Sequence, residues 1–304
     1  MFRARYGICF VGLLAGIVAG LPVLADSRLP ASLVRVPEST TTVFVAETSS
    51  NRLFRFDRID GAMEESGNYY ISIGQNGPGK QRSGDRRTPL GVYFVTEQLD
   101  TSRLHEKYGV TAFPLDYPNA WDRLAARDGD GIWVHGVLPG GVRRPERDTD
   151  GCIALPNEDL GQLAPLFQDN ITPVVVTETV SWVGNAENLG LADELEKRIA
   201  TWAVSQQDGD LFTWLSLYSD DFERWGLSRP KWAALQIEKR SSSGEEHIAI
   251  SDLLLLAYPE EPGLYLSRFV TEVSSGGTTT KTRTRLYWRR GSDGEFRIVA
   301  ESNG

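Results

Sequence analysis

Residues Ile132 to Asn157 read I-W-V-H-G-V-L-P-G-G-V-R-R-P-E-R-D-T-D-G-C-I-A-L-P-N, and the reading of the whole chain turns on them. Gly131 to Val137 is a short apolar run that carries His135, as a buried strand would. A loop from Leu138 to Asp150 then delivers Gly151-Cys152, seventeen positions after the histidine. A cysteine nucleophile reacts as the thiolate, and a nearby imidazole can take its proton. Gly151 allows close approach of a substrate, and the turn around Gly151 and Cys152 can aim backbone N–H groups at a developing oxyanion. An imidazole base also needs an orienting partner. The backbone carbonyl of Gly136 is available for that, and no nearby carboxylate is required.

Working outward, the cysteine count sharpens this reading. The chain has 304 residues, two of them cysteines, Cys9 and Cys152. Arg3 and Arg5, the apolar run Ile8 to Ala19 and the small-residue pattern Val23-Leu24-Ala25 read as a secretory signal cleaved after Ala25. The alternative is an uncleaved anchor, for which the apolar run is short. Export would place the protein in the periplasm and remove Cys9, leaving Cys152 as the one thiol with no internal disulfide. A single thiol in an oxidising compartment is either buried packing or a working group. A single cysteine with three scattered histidines offers no zinc cluster. Neither a metal nor another cofactor is expected. The net charge is −9 and no basic stripe is present, so nucleic acid is not an expected partner.

Many short strands with turn signals precede residue 178: Thr42 to Ala46, Arg52 to Asp57, Tyr69 to Ile73, Leu90 to Thr96 and Ile171 to Thr177. A short helix is expected near Asn157, with Asn157 as its cap. Beyond residue 178 the pattern changes. Leu191, Leu195, Ile199, Trp202 and Ala203 fall on one helix face, further helical segments follow, and strands return from His247. The expected architecture is a mostly-β sandwich or barrel over residues 40–178, followed by an α+β domain over 191–304. Residues 1–25 are the signal, 26–39 a lead-in and 179–190 a linker. Trp202, Trp214, Tyr218, Trp225 and Trp232 read as core, with a glycan or peptide pocket as the sharper alternative. His105 and His247 read as structural or exposed.

His135-Gly136 with Thr149-Asp150-Gly151-Cys152-Ile153 resembles the signature of L,D-transpeptidase (YkuD-type) catalytic domains: His-Gly, a spacer, then Ser/Thr-X-Gly-Cys and an apolar residue. Gly84-Asp85-Arg86-Arg87-Thr88-Pro89-Leu90-Gly91-Val92-Tyr93 is similar to the family's G-D-x-x-T-P-x-G-x-[YF] element. The resemblance covers about residues 40–178. It implies Cys152 as nucleophile, His135 as base and the Gly136 carbonyl as third member, with peptidoglycan stem peptides as substrate. The Gly151 and Cys152 amides are the expected oxyanion hole, and Arg143, Arg144, Trp133 and Tyr117 the expected substrate contacts. Two positions depart from the pattern. Asp150 stands where many members carry a second histidine, and Ala154 where many carry an arginine. A carboxylate beside the thiol opposes its ionisation unless paired. Arg143, Arg144 and Arg147 could pair with it, or could form a solvated loop. A working enzyme is expected to label at Cys152 with thiol reagents near neutral pH, and an inert buried cysteine is not. Tyr117-Pro118-Asn119 and G-I-W-V-H-G resemble the branch that includes murein–lipoprotein-cleaving and cell-shape carboxypeptidase members. The C-terminal part resembles a SnoaL-like cone of the nuclear transport factor 2 superfamily.

The resemblance implies an exported cysteine acyl-transfer enzyme. A thioester resolved by an amine gives transpeptidation. Resolved by water, it gives carboxypeptidase or amidase activity, including release of a wall-attached lipoprotein. A degenerate wall-binding module is the non-enzymatic alternative. A homodimer through the C-terminal half is left open.

Overall fold

A computed structural model describes residues 28–141, 143–184, 187–241 and 246–304. The expected signal, residues 1–25, lies outside the described residues. The first half runs β1 (Arg28–Pro30), β2 (Leu33–Arg35), β3 (Thr42–Glu47), β4 (Arg52–Ile59), β5 (Ala62–Tyr70), β6 (Ile73–Gly74), β7 (Gly91–Phe94), β8 (Ala112–Pro114), α1 (Ala120–Leu124), β9 (Trp133–His135), β10 (Arg147–Thr149), β11 (Ile153–Ala154), α2 (Asn157–Leu163) and β12 (Pro173–Thr177). The second continues with β13 (Trp182–Gly184), α3 (Leu189–Gln207), α4 (Leu211–Ser216), β14 (Tyr218–Arg224), β15 (Leu227–Ser228), α5 (Arg229–Ser241), β16 (His247–Ala257), β17 (Leu264–Ser275), β18 (Thr278–Arg290) and β19 (Phe296–Asn303).

Strand β3 explains the layering. Its T-V-F-V-A-E has no polar face, as suits a strand covered on both sides. It is interior in a five-stranded sheet ordered β5-β4-β3-β12-β7. Phe44 and Ala46, with Val174 and Val176 of β12, pack against Phe113 of β8, Val134 of β9, Ile153 of β11 and Leu160 of α2. Val43 and Val45, with Val92, Phe94 and Val175, pack the other way against Leu254, Leu256, Leu266, Tyr287 and Val299. Those residues belong to a seven-stranded sheet, β15-β14-β19-β18-β17-β16-β2. Its far face carries Leu255, Phe269, Leu286 and Trp288, covered by Leu195, Ile199 and Trp202 of α3, Trp214 of α4 and Trp232 of α5. The two halves therefore share one apolar layer, each large side chain in it contributing about 1.5–3 kcal/mol.

Buried arginines cross the same junction. Arg285 on β18 pairs with Asp116. Arg268 on β17 donates to the carbonyls of Ile171 (2.8 Å) and Asn170 (3.1 Å). Both guanidinium groups lie over the Phe94 ring, at 4.1 Å for Arg285 and 5.3 Å for Arg268.

Three sequence expectations need correction. The lead-in is partly strand: β2 pairs with β16 and completes the C-terminal sheet. Leu33 faces the shared layer and Val34 the helix-covered core, which is why this short run is held. Strands β5 and β14 lie in segments whose polar residues hid them. β5 is a sheet edge, where charge is an advantage. Finally, Asn157 is the first residue of α2 rather than its cap. Pro156 takes the cap position without a side-chain hydrogen bond.

Candidate active site

A parallel strand pair carries the two expected site residues, Cys152 and His135. β11 lies beside β9 with Ile153 opposite Val134 and Ala154 opposite His135. Val134, Ile153 and Leu155 are fully buried, so the pair is anchored in the core. Cys152 precedes β11 and is thereby carried to the Trp133–His135 strand.

His135 is 3% exposed. Its Nδ1 lies 2.6 Å from the Gly136 carbonyl, which can only accept, so Nδ1 carries the proton. The edge of Tyr108 meets the imidazole at 5.2 Å between ring centres. Burial pushes His135 down to about 4, the hydrogen bond to Gly136 opposing this and the charges of Arg144 and Lys107 adding to it. At neutral pH the imidazole is uncharged with a free Nε2 lone pair, the state a general base requires.

The Cys152 thiol donates to the Gly131 carbonyl at 3.3 Å. Burial pushes it up to about 11, against the lowering effect of the Trp133 N–H, Lys107 and Arg144. The resting thiol is therefore neutral and held by the Gly131 carbonyl, and the neutral imidazole lies on the adjoining strand. Burial opposes the ready labelling near neutral pH expected of a working enzyme.

The turn before Cys152 needs its glycine. Gly151 has φ +125°, and a Cβ there would lie 2.7 Å from the Arg87 carbonyl. Thr149 Oγ1 accepts from the Gly151 N–H at 3.1 Å and donates to the Cys152 carbonyl at 2.7 Å. The Gly151 amide, an expected oxyanion donor, is thus already engaged. The Cys152 amide of that expected pair has no hydrogen bond among the described residues.

The second motif forms the loop behind this turn. Asp85 accepts from the N–H groups of Gln81 (2.7 Å), Arg82 (2.9 Å) and Arg87 (3.0 Å) and from Lys80 Nζ (2.9 Å). Burial alone would raise its carboxyl, but these donors hold it down at about 2. Thr88 Oγ1 accepts from the Gly74 N–H at 2.9 Å. The loop therefore presents the Arg87 carbonyl to Gly151.

The remaining expected residues scatter. Asp150 lies 3.8 Å from Arg86, not against Arg143, Arg144 or Arg147. The three arginines find other neighbours: Arg143 over the Tyr70 ring at 3.4 Å, Arg144 with Asp148 at 3.6 Å, and Arg147 in β10 beside β6. Both Asp150 and Arg86 are exposed, so this pair is worth little. Trp133 is half-buried against Tyr108 at 4.7 Å. Tyr117 is a correction. It is 5% exposed, edges Tyr93 and donates to the Asp128 carbonyl at 3.0 Å, as a core residue does.

Sequence reasoning missed several site residues. Asn157 Oδ1 accepts from Val137 N–H (2.9 Å) and its Nδ2 donates to the Val137 carbonyl (2.8 Å), fixing the exit of β9. Lys107 lies 5.0 Å over the Tyr108 ring, and Arg144 reaches the Lys107 carbonyl at 3.4 Å. Positive charge therefore rides on the ring that edges His135. Nothing in residue type or spacing singled these out.

Residues 41–176 match the L,D-transpeptidase catalytic domain family, YkuD. Residues 194–302 match the Cds6 C-terminal NTF2-like domain. No curated protein matches the sequence. The helical cell shape determining protein Pgp2 from Campylobacter jejuni is 26% identical, with a TM-score of 0.73 over 86% of this chain and 91% of that one. A single-residue mutant of Pgp2 superposes over 90% of this chain and 94% of its own, at 25% identity and TM-score 0.74. Bd1075 of Bdellovibrio bacteriovorus, at 22% identity, shares the fold with a TM-score of 0.74 over 91% of this chain and 98% of that one. The chain thus carries an L,D-transpeptidase catalytic domain of the YkuD family, followed by an NTF2-like domain of the Cds6 C-terminal type.

Proposed function

We propose that the protein is a cysteine acyl-transfer enzyme acting on the stem peptides of peptidoglycan, outside the cytoplasm. The observation that carries this is His135: buried, uncharged, and oriented by the Gly136 carbonyl in the strand beside Cys152. In the first step Cys152 Sγ attacks the carbonyl of an amide between an L- and a D-centre. The thiol proton passes to His135 Nε2 and on to the leaving amine, and a thioester remains. In the second step an amine or water attacks the thioester, with His135 as base, and Cys152 is restored as the thiol. The Cys152 amide is the donor offered to the oxyanion. An amine acceptor makes the enzyme an L,D-transpeptidase, and water makes it an L,D-carboxypeptidase or an amidase. The likeness to Pgp2, named as a determinant of helical cell shape, supports a role in wall remodelling. Export through a signal cleaved after Ala25 belongs to the same reading.

The test is incubation with tetrapeptide-bearing wall fragments, with and without an amine acceptor, and mass measurement of the products. The reading expects loss of the terminal D-residue, exchange when the amine is present if transfer operates, and neither with Cys152→Ala. Unchanged fragments with a folded wild-type protein would overturn it.

A further inference from the structure

The turn between β14 and β15 breaks a local rule. Arg224 pairs with Leu227, so Trp225 and Gly226 form a two-residue hairpin loop. Both have positive φ, 55° and 72°, as in a type I′ turn. That turn favours Asn, Asp or Gly at its first position, and a bulky aromatic there is strained. Trp225 gains no burial in exchange, being 71% exposed. A strained, largely solvent-facing tryptophan is a candidate binding position.

Its neighbours form a prepared surface. The Arg224 guanidinium lies 4.1 Å over the Trp225 ring. Glu301 and Asn303 hold Arg224, the latter at 3.1 Å, and Tyr218 fixes Glu301 at 3.0 Å. Arg224 Nε is buried without a partner among the described residues. Beside the ring lies a cleft of about 500 Å³, lined by Trp225, Glu223 and Asn303 from the C-terminal half and by Arg123 and Leu124 of α1 from the catalytic half. Two arginines, Arg123 and Arg224, are balanced there by Glu223 and Glu301. The cleft has an aromatic platform, planar polar side chains and no charge excess. This suits a neutral sugar, whose C–H face stacks on tryptophan while its hydroxyl and amide groups take hydrogen bonds.

We propose that this cleft binds the amino-sugar glycan strand that carries the stem peptide, through stacking on Trp225. The proposal rests on the catalytic reading for the identity of the polymer. The glycan would span both halves of the protein, with α1 followed in sequence by the segment leading to Gly131, the carbonyl that accepts from Cys152.

The experiment titrates the full chain with short β-1,4-linked N-acetylglucosamine oligomers free of peptide, followed by tryptophan fluorescence. The variant is Trp225→Asn, which suits the turn better than the native residue. Wild type should show saturable binding. Trp225→Asn should weaken it at least about tenfold, with a melting temperature no lower than wild type. Its kcat/KM should fall more on glycan-bearing fragments than on glycan-free stem peptide. No sugar binding by wild type, equal binding by the variant, or displacement of the sugar by a sugar-free stem peptide would each overturn the proposal. Retained turnover of glycan-free peptide by Cys152→Ala would instead strike the catalytic reading.

Discussion

The side-chain oxygen of Asn157 occupies the space that a side chain on Gly136 would need: a Cβ there would lie 2.2 Å from it. Gly136 supplies the carbonyl that holds the Nδ1 proton of His135 at 2.6 Å. Asn157 meanwhile clamps the next residue, Val137, through both its N–H and its carbonyl. The tautomer of the His135 imidazole is therefore set by a glycine that a distant carboxamide keeps small and in place.

Asn157→Ala should leave the buried Val137 groups without their partner. A loss of about 1–3 kcal/mol is expected, read by urea unfolding. The drop in kcat should exceed the drop in stability, because the imidazole loses its orientation. Gly136→Ala should be worse, since the added carbon meets the carboxamide itself. Equal kcat in Asn157→Ala would remove Asn157 from the account.

His135 should leave a signature in stability against pH. Burial lowers it from 6.5 to about 4, so between those values the unfolded chain binds more protons than the folded one. Stability then rises with pH across that window, by about 3 kcal/mol from this group alone. Asp122 acts in the opposite sense, because burial, partly offset by the Asn119 N–H and Arg127, raises its carboxyl from 3.8 to about 6. The difference between wild type and His135→Gln isolates the histidine. It should show wild type gaining on the variant from pH 4 to 6.5. A flat difference would mean that His135 is not buried as an uncharged ring.

Thiol labelling reads the other member of the dyad. With Cys152 pushed up to about 11, iodoacetamide should react slowly at neutral pH and faster as pH climbs toward that value. Lys107→Met and Arg144→Met should each slow labelling further at a given pH, because both charges stabilise the thiolate. Rapid labelling at neutral pH would show instead a resting ion pair.

The shared apolar layer should make the two halves unfold together. A single transition is expected for the full chain, followed by circular dichroism and tryptophan fluorescence. Asp116→Ala strands the buried Arg285 charge and should cost about 3–5 kcal/mol. A fragment ending at residue 178 exposes Val43, Val45, Phe94 and Val175 and should aggregate. A soluble, cooperatively folded fragment would contradict the packing.

What the sequence disclosed follows from what each residue does alone. Cys152, His135 and Gly151 stood out because a thiol, an imidazole and a glycine carry their chemistry in their type, and the fold brings their strands together. Strand β3 was legible because V-F-V-A has no polar face. Asn157 misled: an asparagine before Glu158 and Asp159 looks like a helix cap, yet its carboxamide is drawn to Val137 and Val110, which only the folded chain brings near. Asp150 misled in the same way, because its arginine neighbour, Arg86, comes from the other motif. Tyr117 entered as an expected substrate contact within the Tyr117-Pro118-Asn119 resemblance, and only its packing against Tyr93 reveals a core residue.

The central claim is that Cys152 forms the covalent intermediate. Its most direct test is the intact mass of the protein after brief mixing with a tetrapeptide-bearing fragment and acid quenching. The account expects a mass increase equal to the acyl fragment without its terminal residue, located on the peptide containing Cys152 and missing in Cys152→Ala. Turnover retained by Cys152→Ala, or an adduct on another residue, would contradict it.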